Sequence, residues 1–294
     1  MKLWYWFVIS IVAGILFGLL ITFLFGKFPE SWLQDYDYNP NAKNFRLAKR
    51  MKWVPHGIIA CLGIAFAYCV SVVFAPDYYL TPLYFKIAVI FLLMPVLFLI
   101  LMSDKLNRII PDQFSIYIFI LGILAAVGDY IDGTIWFSDK AAWFAPLLNR
   151  VIGSAAGGGF LLLIGFLSMT FAGREGMGQG DIKLMFALGL LSGCYGLIVI
   201  VYVAVFSALI FAIPMLIRKH KRIKEEEKII QASNNPAKKR RELELKRSQI
   251  HYAEDPDYLA FGPFLALGCA VFVAMEPFIY THLLKYFEGM GVIF

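Results

Sequence analysis

Long apolar runs with almost no charge constrain this chain more than any other feature. Several of them exceed about 18 residues, which is the length a helix needs to cross the hydrocarbon core of a bilayer. Of the 294 residues, 60% are hydrophobic and 16% are charged, whereas a soluble domain is nearer half apolar and a quarter charged. The runs are too continuous for the alternating strands of a β-barrel. The sequence therefore predicts an all-α, polytopic membrane protein.

The runs predict about eight transmembrane helices. The first run continues from Leu3 to Phe25, which is longer than the apolar region of a signal peptide, so we expect it to be retained. The sixth is short, and Ser192 to Gly196 would form a tight hairpin to the seventh; one tilted helix over both runs is the alternative. The predicted spans are residues 3–25, 56–75, 84–103, 113–131, 147–172, 182–193, 195–217 and 259–281.

The distribution of Lys and Arg favours the hairpin. Positive charge collects in cytoplasmic loops. With eight spans and an outer N-terminus, the inner segments 26–55, 104–112, 173–183 and 218–258 hold 22 of the 27 Lys and Arg residues. A single merged helix would put the basic stretch Arg218 to Arg247 outside. We therefore predict a multi-pass protein of the cytoplasmic (inner) membrane.

Two parts follow from this topology. Residues 1–55 form a first transmembrane helix with a short cytoplasmic loop, and residues 56–294 form a second domain with a cytoplasmic insertion at 218–258. The insertion has helical content on both sides of Ser233 to Pro236. Because acids interleave its bases, it indicates a solvated or membrane-surface hairpin and no nucleic-acid partner. The apolar composition of the chain makes the lipid bilayer a partner, and the sequence does not determine the oligomeric state.

Two aspartates lie at the predicted cytoplasmic face. Asp104 ends the third span, and Asp181 starts the sixth after Gly178-Gln179-Gly180. The two glycines permit a sharp turn and a close helix approach, and a carboxylate is favoured in the first turn of a helix. The structural interpretation of Asp181 is that it caps the start of a helix. The presence of Asp104 at the same face strengthens the alternative interpretation, that Asp181 has a function.

A pair of carboxyls can hydrolyse a peptide. Like charges that close cannot both ionise cheaply, so the two groups share one proton. The ionised member takes a proton from water while the neutral member polarises the carbonyl, with no covalent intermediate. If the third and sixth spans pack together, Asp104 and Asp181 can act in this way.

Other polar residues receive structural interpretations. Asp112, after Pro111, is well suited to the N-cap or the N-terminal turn of the fourth span. Lys105, Arg108 and Lys183 either orient the carboxylates or mark the interface, and the interface is favoured. We expect Asp129, Asp132 and Asp139 to be solvated loop acids, and Glu276 to lie near the outer interface without a catalytic role. The four cysteines form no Cys-x-x-Cys pair, so no metal site is expected: Cys61, Cys69, Cys194 and Cys269.

Three stretches resemble the type IV prepilin peptidase family of membrane aspartic proteases. Asp104 with Ile110-Pro111-Asp112 is similar to the first motif of that family, and Glu175 to Leu184 is similar to its Gly-x-Gly-Asp motif. The stretch Phe261 to Gly268 resembles the signature of its last helix. The resemblance covers roughly residues 56–285.

The resemblance implies a prepilin leader peptidase of the type IV pilus and protein secretion machinery. It implies that Asp104 and Asp181 are the catalytic pair, supported by Gly178, Gly180, Lys183 and Asp112. The implied substrates are type IV prepilin-like precursors, in which a short basic leader precedes an apolar helix, with cleavage at the cytoplasmic membrane boundary.

No cofactor is implied for hydrolysis. S-adenosylmethionine would enter only if methyl transfer to the new N-terminus were retained. Many bacterial members carry two Cys-x-x-Cys pairs in the first cytoplasmic loop, and residues 26–55 contain no cysteine, so we expect neither N-methylation nor zinc binding. The alternatives are a broader Gly-x-Gly-Asp intramembrane protease and a non-enzymatic transporter or scaffold.

Overall fold

All regular secondary structure in the described residues is helical, which confirms the predicted fold class. The computed structural model describes residues 3–34, 41, 47–131, 144–173, 177–233, 235–248 and 259–284. Short 3₁₀ and π turns at Glu30–Trp32, Trp53–Gly57 and Tyr280–Leu284 accompany the α-helices. The α-helices are α1 (Leu3–Lys27), α2 (Ile58–Phe74), α3 (Asp77–Leu80), α4 (Tyr84–Asn107), α5 (Asp112–Ile131), α6 (Ala145–Ala172), α7 (Gln179–Gln231), α8 (Pro236–Ser248) and α9 (Gly262–Ile279).

Among the described residues, seven helices are long and apolar enough to cross a membrane. One of them, α7, contains a break at Gly193, where φ is +69° and ψ is −176°. The break divides α7 into a first arm, residues 179–192, and a second arm, residues 194–231. If the two arms run in opposite directions, the bundle has the eight predicted spans.

Contacts along α7 show that its two arms are antiparallel. In the first arm, Gly180 packs on Ile110 at the start of α5, and Leu190 packs on Gly122 further along that helix. In the second arm, Gly196 packs on Phe272 of α9 and Phe211 packs on Phe264, with ring centroids 5.6 Å apart. The first arm therefore runs in the same direction as α5, and the second arm runs in the direction opposite to α9. Helices α5 and α9 are parallel to each other, because Gly262 at the start of α9 contacts Ile110 just before α5, while Lys86 contacts both Glu276 and Asp129 near their ends. The predicted hairpin is confirmed, and the merged helix is wrong.

Asn149 of α6 holds the hairpin turn. Its Oδ1 accepts a hydrogen bond of 3.1 Å from the backbone amide of Cys194, and its backbone carbonyl accepts one of 3.3 Å from the Cys194 thiol. A side chain at Gly193 would overlap the Asn149 amide. Because the positive φ also disfavours any residue with a Cβ, glycine is required at this turn.

The bundle has two ends, and the candidate aspartates share one of them. At the Asp104 end, the rings of Phe28 and Phe114 pack in a tilted arrangement with their centroids 5.7 Å apart. Gly262 and Gly180 both contact Ile110 at the same end. At the opposite end, the Trp6 indole donates a 3.1 Å hydrogen bond to the carbonyl of Tyr79. Parts of three of the four segments predicted to share one face of the membrane, 26–55, 104–112 and 173–183, thus meet at the Asp104 end.

The small residues of α6 allow close packing against both arms of α7. A Cβ at Gly153 would come within 2.6 Å of the Gly193 backbone, and one at Gly157 would come within 2.8 Å of Leu197. Gly159, by contrast, has no atom within 4 Å of its missing side chain. Gly153 and Gly157 thus form a small-residue face, in keeping with the way membrane helices approach one another.

The described part of the polar insertion, residues 218–233 and 235–248, contains the end of α7 and the whole of α8. The second arm of α7 continues without another break to Gln231, and α8 begins at Pro236. The predicted interruption around Ser233 to Pro236 is confirmed. Asn235 caps α8, since its side-chain oxygen accepts a 3.1 Å hydrogen bond from the amide of Lys238.

The prediction that Asp129 is a solvated loop acid is wrong. Asp129 belongs to α5 and is 4% exposed. Its Oδ2 accepts hydrogen bonds of 2.9 and 2.6 Å from Nε and Nη2 of Arg150, and its Oδ1 lies 3.2 Å from Nζ of Lys86. Asp132 and Asp139 lie outside the described residues.

Glu276 completes this buried cluster. Its carboxylate lies 3.2 Å from Nζ of Lys86 and accepts a 2.8 Å hydrogen bond from the hydroxyl of Tyr78. Arg150 also donates to the backbone carbonyls of Leu190 and Leu191 at the end of the first arm. We call Lys86, Asp129, Arg150 and Glu276 the charge cluster. It joins α4, α5, α6 and α9 with equal numbers of positive and negative groups, so no net charge is buried.

We expect Gly193→Ala to destabilise the protein because it adds a side chain where φ is positive and Asn149 leaves no room. This backbone conformation is essentially restricted to glycine, and another residue in it costs of order 1–3 kcal/mol. The measurement is the thermal unfolding midpoint in detergent micelles. Gly159→Ala is the matched control, since it faces open space within a helix and is expected to keep or raise the midpoint. Equal midpoints for the two variants would contradict this account of the hairpin.

We expect Asp129→Asn to lower stability because it leaves Arg150 and Lys86 buried without their shared carboxylate. Removing one partner of a buried ion pair typically costs about 3–5 kcal/mol. The same thermal measurement applies, with Glu242→Gln at the half-exposed Lys239–Glu242 pair as the control, for which we expect little change. A loss no larger than that of the control would show that the charge cluster contributes little.

Candidate active site

The end of α4 positions Asp104. The helix ends at Asn107, and Arg108 adopts a left-handed conformation with φ of +61°, donating its amide to the carbonyl of Asp104 over 2.9 Å. Asp104 is 5% exposed, so its carboxylate lies almost entirely inside the bundle. A carboxylate in that environment needs polar groups nearby.

The glycine turn before α7 positions Asp181. Gly178 is extended, with φ of −67° and ψ of 137°, and its carbonyl accepts the amide of Ile182 over 3.3 Å. Asp181 then lies in the first turn of the helix, where unpaired backbone amides favour a carboxylate. It is 8% exposed, and its Oδ2 would lie 3.3 Å from a Cβ at Gly178. Residues 174–176 of the motif lie outside the described residues.

Ile110 links the two aspartates. A Cβ at Gly180, next to Asp181, would come within 3.1 Å of the Ile110 side chain. A Cβ at Gly262 would come within 2.6 Å of Ile110 and 2.7 Å of Oδ2 of Asp104. The two carboxyls interact electrostatically with each other. The structure thus brings together the pair that sequence reasoning selected, from helices 77 positions apart in the sequence.

One oxygen of the pair has no partner among the described residues. Oδ1 of Asp181 is buried and makes no hydrogen bond there. Buried carboxylate oxygens are normally hydrogen-bonded to protein or to ordered water. An unpartnered oxygen beside a second carboxyl is suited to holding a water molecule or a substrate group.

Asp112 and Lys183 form a separate ion pair beside the site. Asp112 starts α5, as predicted, and both of its carboxylate oxygens accept hydrogen bonds from Nζ of Lys183, at 2.9 and 2.8 Å. Both side chains are about 40% exposed, with values of 42% for Lys183 and 38% for Asp112. The pair ties α5 to α7 next to Asp181.

Sequence reasoning undervalued two residues at Asp104. Arg108, assigned to the interface, interacts electrostatically with the Asp104 carboxylate. The four-residue spacing from Asp104 was an available signal, since side chains at i and i+4 are neighbours. Gly262 was recognised only as part of a motif, yet its backbone amide faces the same carboxylate. That contact joins α9 to α4 and has no local sequence signal.

An extended segment, residues 47–52, borders the Asp104 end. Asn107 binds it through both amide atoms: Oδ1 accepts from the Lys49 amide over 2.8 Å, and Nδ2 donates to the Lys49 carbonyl over 3.1 Å. Glu30 accepts hydrogen bonds from the Ala48 amide and from Arg50, which also donates to the carbonyl of Phe28.

Burial disfavours the charged form of Glu30 but is outweighed by the Ala48 amide, Gln34 and Arg50, so the pKa of Glu30 lies below its usual value. The ionised carboxylate of Glu30 therefore holds segment 47–52 in place. The same segment is bound by Asn107, which lies three residues after Asp104.

These features define a class: multi-pass helical membrane proteins that bury a pair of aspartates at one end of the bundle. The described residues contain no group of three or more His, Cys, Asp or Glu side chains arranged to hold a metal ion. The model of the type IV leader peptidase family matches residues 91–213, which include both Asp104 and Asp181. The family resemblance is therefore confirmed for this segment.

Three curated relatives support the match. The chain is 31% identical over 116 residues to a prepilin leader peptidase/N-methyltransferase of Neisseria gonorrhoeae. Proteins of the same name from Xanthomonas campestris and Dichelobacter nodosus are 29% identical over 109 residues and 30% identical over 118. These segments cover 40%, 36% and 40% of this chain but only 36%, 33% and 37% of the relatives. The chain thus matches about a third of their length, and no solved structure matches it.

We expect Glu30→Gln to release segment 47–52, because the neutral amide holds Arg50 and the Ala48 amide less strongly. Trypsin cleavage after Lys49 and Arg50 at neutral pH should become several-fold faster than in wild type. Glu244→Gln, on the exposed face of α8, is the control and should leave cleavage unchanged.

The same contact predicts a pH dependence. Because the folded-state pKa of Glu30 is lowered, its stabilising contribution is complete above its ordinary value of 4.5 and is lost as the pH falls through the folded-state pKa. Hydrogen exchange at Ala48, corrected for the intrinsic rate, should accelerate below that range in wild type and should not change in Glu30→Gln. A pH-independent wild type would contradict this role.

Proposed function

We propose that this protein is an aspartic endopeptidase that removes the leader peptide of type IV prepilin-like precursors. The observation that carries the proposal is the buried pair of Asp104 and Asp181, brought together from α4 and α7 within the segment that matches the family. Two carboxyls in that arrangement suit acid–base hydrolysis with an activated water.

In the proposed reaction one aspartate is ionised and the other carries a proton. The ionised carboxylate removes a proton from water, and the water oxygen attacks the carbonyl carbon of the scissile peptide while the neutral carboxyl donates to the carbonyl oxygen. As the C–N bond of the tetrahedral intermediate breaks, the carboxyl that took the proton from water gives it to the leaving amine. The other carboxylate takes a proton back from a hydroxyl of the intermediate as the C=O bond re-forms. The products are the leader with a free carboxylate and the mature protein with a new N-terminus. The unpartnered Oδ1 of Asp181 is a suitable acceptor for the water.

Electrostatics separate the roles of the two carboxyls in this proposal. Arg108 interacts with Asp104, and the backbone amide of Gly262 faces it, so Asp104 is better suited to remain ionised. Asp181 feels chiefly burial and the charge of Asp104, so it is better suited to carry the shared proton before substrate binds. Proton exchange through the water reverses these roles during the cycle.

We further propose that the site faces the cytoplasm in the inner membrane. The loops that join spans at the Asp104 end hold most of the positive charge, which favours the cytoplasmic side. A prepilin-like substrate presents its leader junction where its apolar helix leaves the bilayer. The buried pair lies where α4 ends and α7 begins, so it suits a peptide bond at that boundary.

We assign no cofactor to the reaction, and we do not extend the methyltransferase activity in the names of the relatives to this chain. Hydrolysis by two carboxyls and water uses neither a metal nor a methyl donor. The loop 26–55 contains no cysteine, and it lies outside the segment that the family model matches. Methyl transfer therefore has no site residues that we can name.

We expect Asp104→Asn and Asp181→Asn each to lower the rate of prepilin cleavage by at least about 100-fold, because either change removes one proton carrier from the pair. The measurement is conversion of purified prepilin to its mature form in proteoliposomes, followed by mass spectrometry of the cut site. Asp77→Asn, an exposed aspartate at the opposite end of the bundle, is the matched control and should retain the wild-type rate.

Two outcomes would overturn the proposal. Full cleavage by both aspartate variants, inserted and folded as judged by the thermal midpoint, would exclude the pair as the catalytic groups. Cleavage mapped within the apolar helix, away from the leader junction, would favour a broader intramembrane protease instead.

A further inference from the structure

An apolar groove opens between α2 and α9 with α4 as its floor. Its volume is about 270 Å³, and all of its lining side chains are apolar. Phe66 on one wall is 71% exposed and Leu267 on the other is 44% exposed, while Met94 and Leu97 at the floor are buried. In a membrane protein such exposed apolar walls face the hydrocarbon, so the groove is open to the lipid and not to water.

The groove leads toward the buried aspartates. On α4 it extends from Met94 to Leu101, and Leu97, Leu101 and Asp104 follow one another at the i, i+4, i+7 spacing of a single helix face. On α9 it extends from Ala266 to Met275, a length of roughly 13 Å at 1.5 Å per residue. Gly262, one turn before Ala266, is the residue whose amide faces Asp104.

The lining is shaped to admit a helix. Small residues recur on both walls: Gly63 and Ala67 on α2, and Ala266, Ala270 and Ala274 on α9. Small side chains at such spacing let membrane helices approach closely, and association in lipid depends on that packing. Ala266, Ala270 and Ala274 are spaced by four and lie on the same face of α9 as Gly262.

We propose that this groove binds the apolar helix of the substrate, immediately after the scissile bond. The inference rests on the proposed function, because a prepilin-like precursor places its leader junction directly before a membrane-embedded helix. Such a helix reaches the aspartates sideways through lipid, and the groove is an apolar surface that is open to lipid and continuous with the faces of α4 and α9 that carry Asp104 and Gly262. About two and a half helical turns of the substrate would lie along it.

Site-specific photocross-linking tests this assignment. Benzoylphenylalanine is placed at Leu267 or at Met275 in an Asp181→Asn background, which holds the precursor uncleaved, and full-length prepilin is added in proteoliposomes. Both probes should cross-link to the prepilin helix. Because Met275 lies eight residues further along α9, its cross-link should map roughly two turns further from the cut than that of Leu267. A probe at Phe206, exposed on α7 outside the groove, is the control and should not cross-link.

Groove-filling variants supply an independent kinetic readout. Ala270→Leu on α9 and Ala67→Leu on α2 should each raise the KM for full-length prepilin about tenfold while kcat at saturating prepilin is preserved, because the aspartates are untouched. Ala156→Leu, an equal change on the exposed face of α6, is the matched control and should alter neither constant. Thermal midpoints establish that each variant is folded.

The outcomes separate this inference from the proposed function. Absence of prepilin cleavage by the wild type would overturn both. Normal cleavage by the wild type with an unchanged KM in both filled variants would overturn the groove assignment alone. Cross-links from Leu267 only to lipid, or only to a second copy of this chain, would likewise show that another occupant fills the groove.

Discussion

Close approach of helix backbones is the constraint on which this structure depends. Helices in lipid gain little from burying apolar surface against one another, so they associate through packing. Glycine makes that packing possible at the decisive contacts: Gly153 meets Gly189 between α6 and α7, Gly268 meets Ile200 between α9 and α7, and Gly262 meets Asp104. The last contact matters most for function, because a side chain there would occupy the space of the carboxylate.

Buried charges of opposite sign balance at one end of the bundle, whereas two carboxyls lie together at the other end. In the charge cluster, Lys86, Asp129, Arg150 and Glu276 neutralise one another, so four helices meet at that end without burying net charge. At the other end two carboxyls of like sign lie together, with Arg108 near only one of them. Buried like charges are unfavourable for stability but favour the sharing of a proton, which hydrolysis requires.

Local patterns predicted the parts of the structure that depend on local physics. The hairpin at Gly193, the start of α5 at Asp112 and the break before Pro236 follow from glycine, aspartate and proline acting on their own stretch of backbone. Asp129 was misjudged because a carboxylate near the end of an apolar run is normally solvated. Its partners Lys86 and Arg150 lie 43 and 21 positions away, and nothing in the sequence around Asp129 indicates them.

The sequence by itself determined an all-α membrane bundle and the approximate number of its spans, and it singled out Asp104 and Asp181 as candidates, because apolar length, charge placement and glycine motifs are properties of short segments. The tertiary structure alone decided which helices meet. It placed Gly262 at Asp104, gathered the charge cluster and left a groove between α2 and α9. These contacts join residues that are distant in the chain, and they arise from the packing of complete helices, which no short segment encodes.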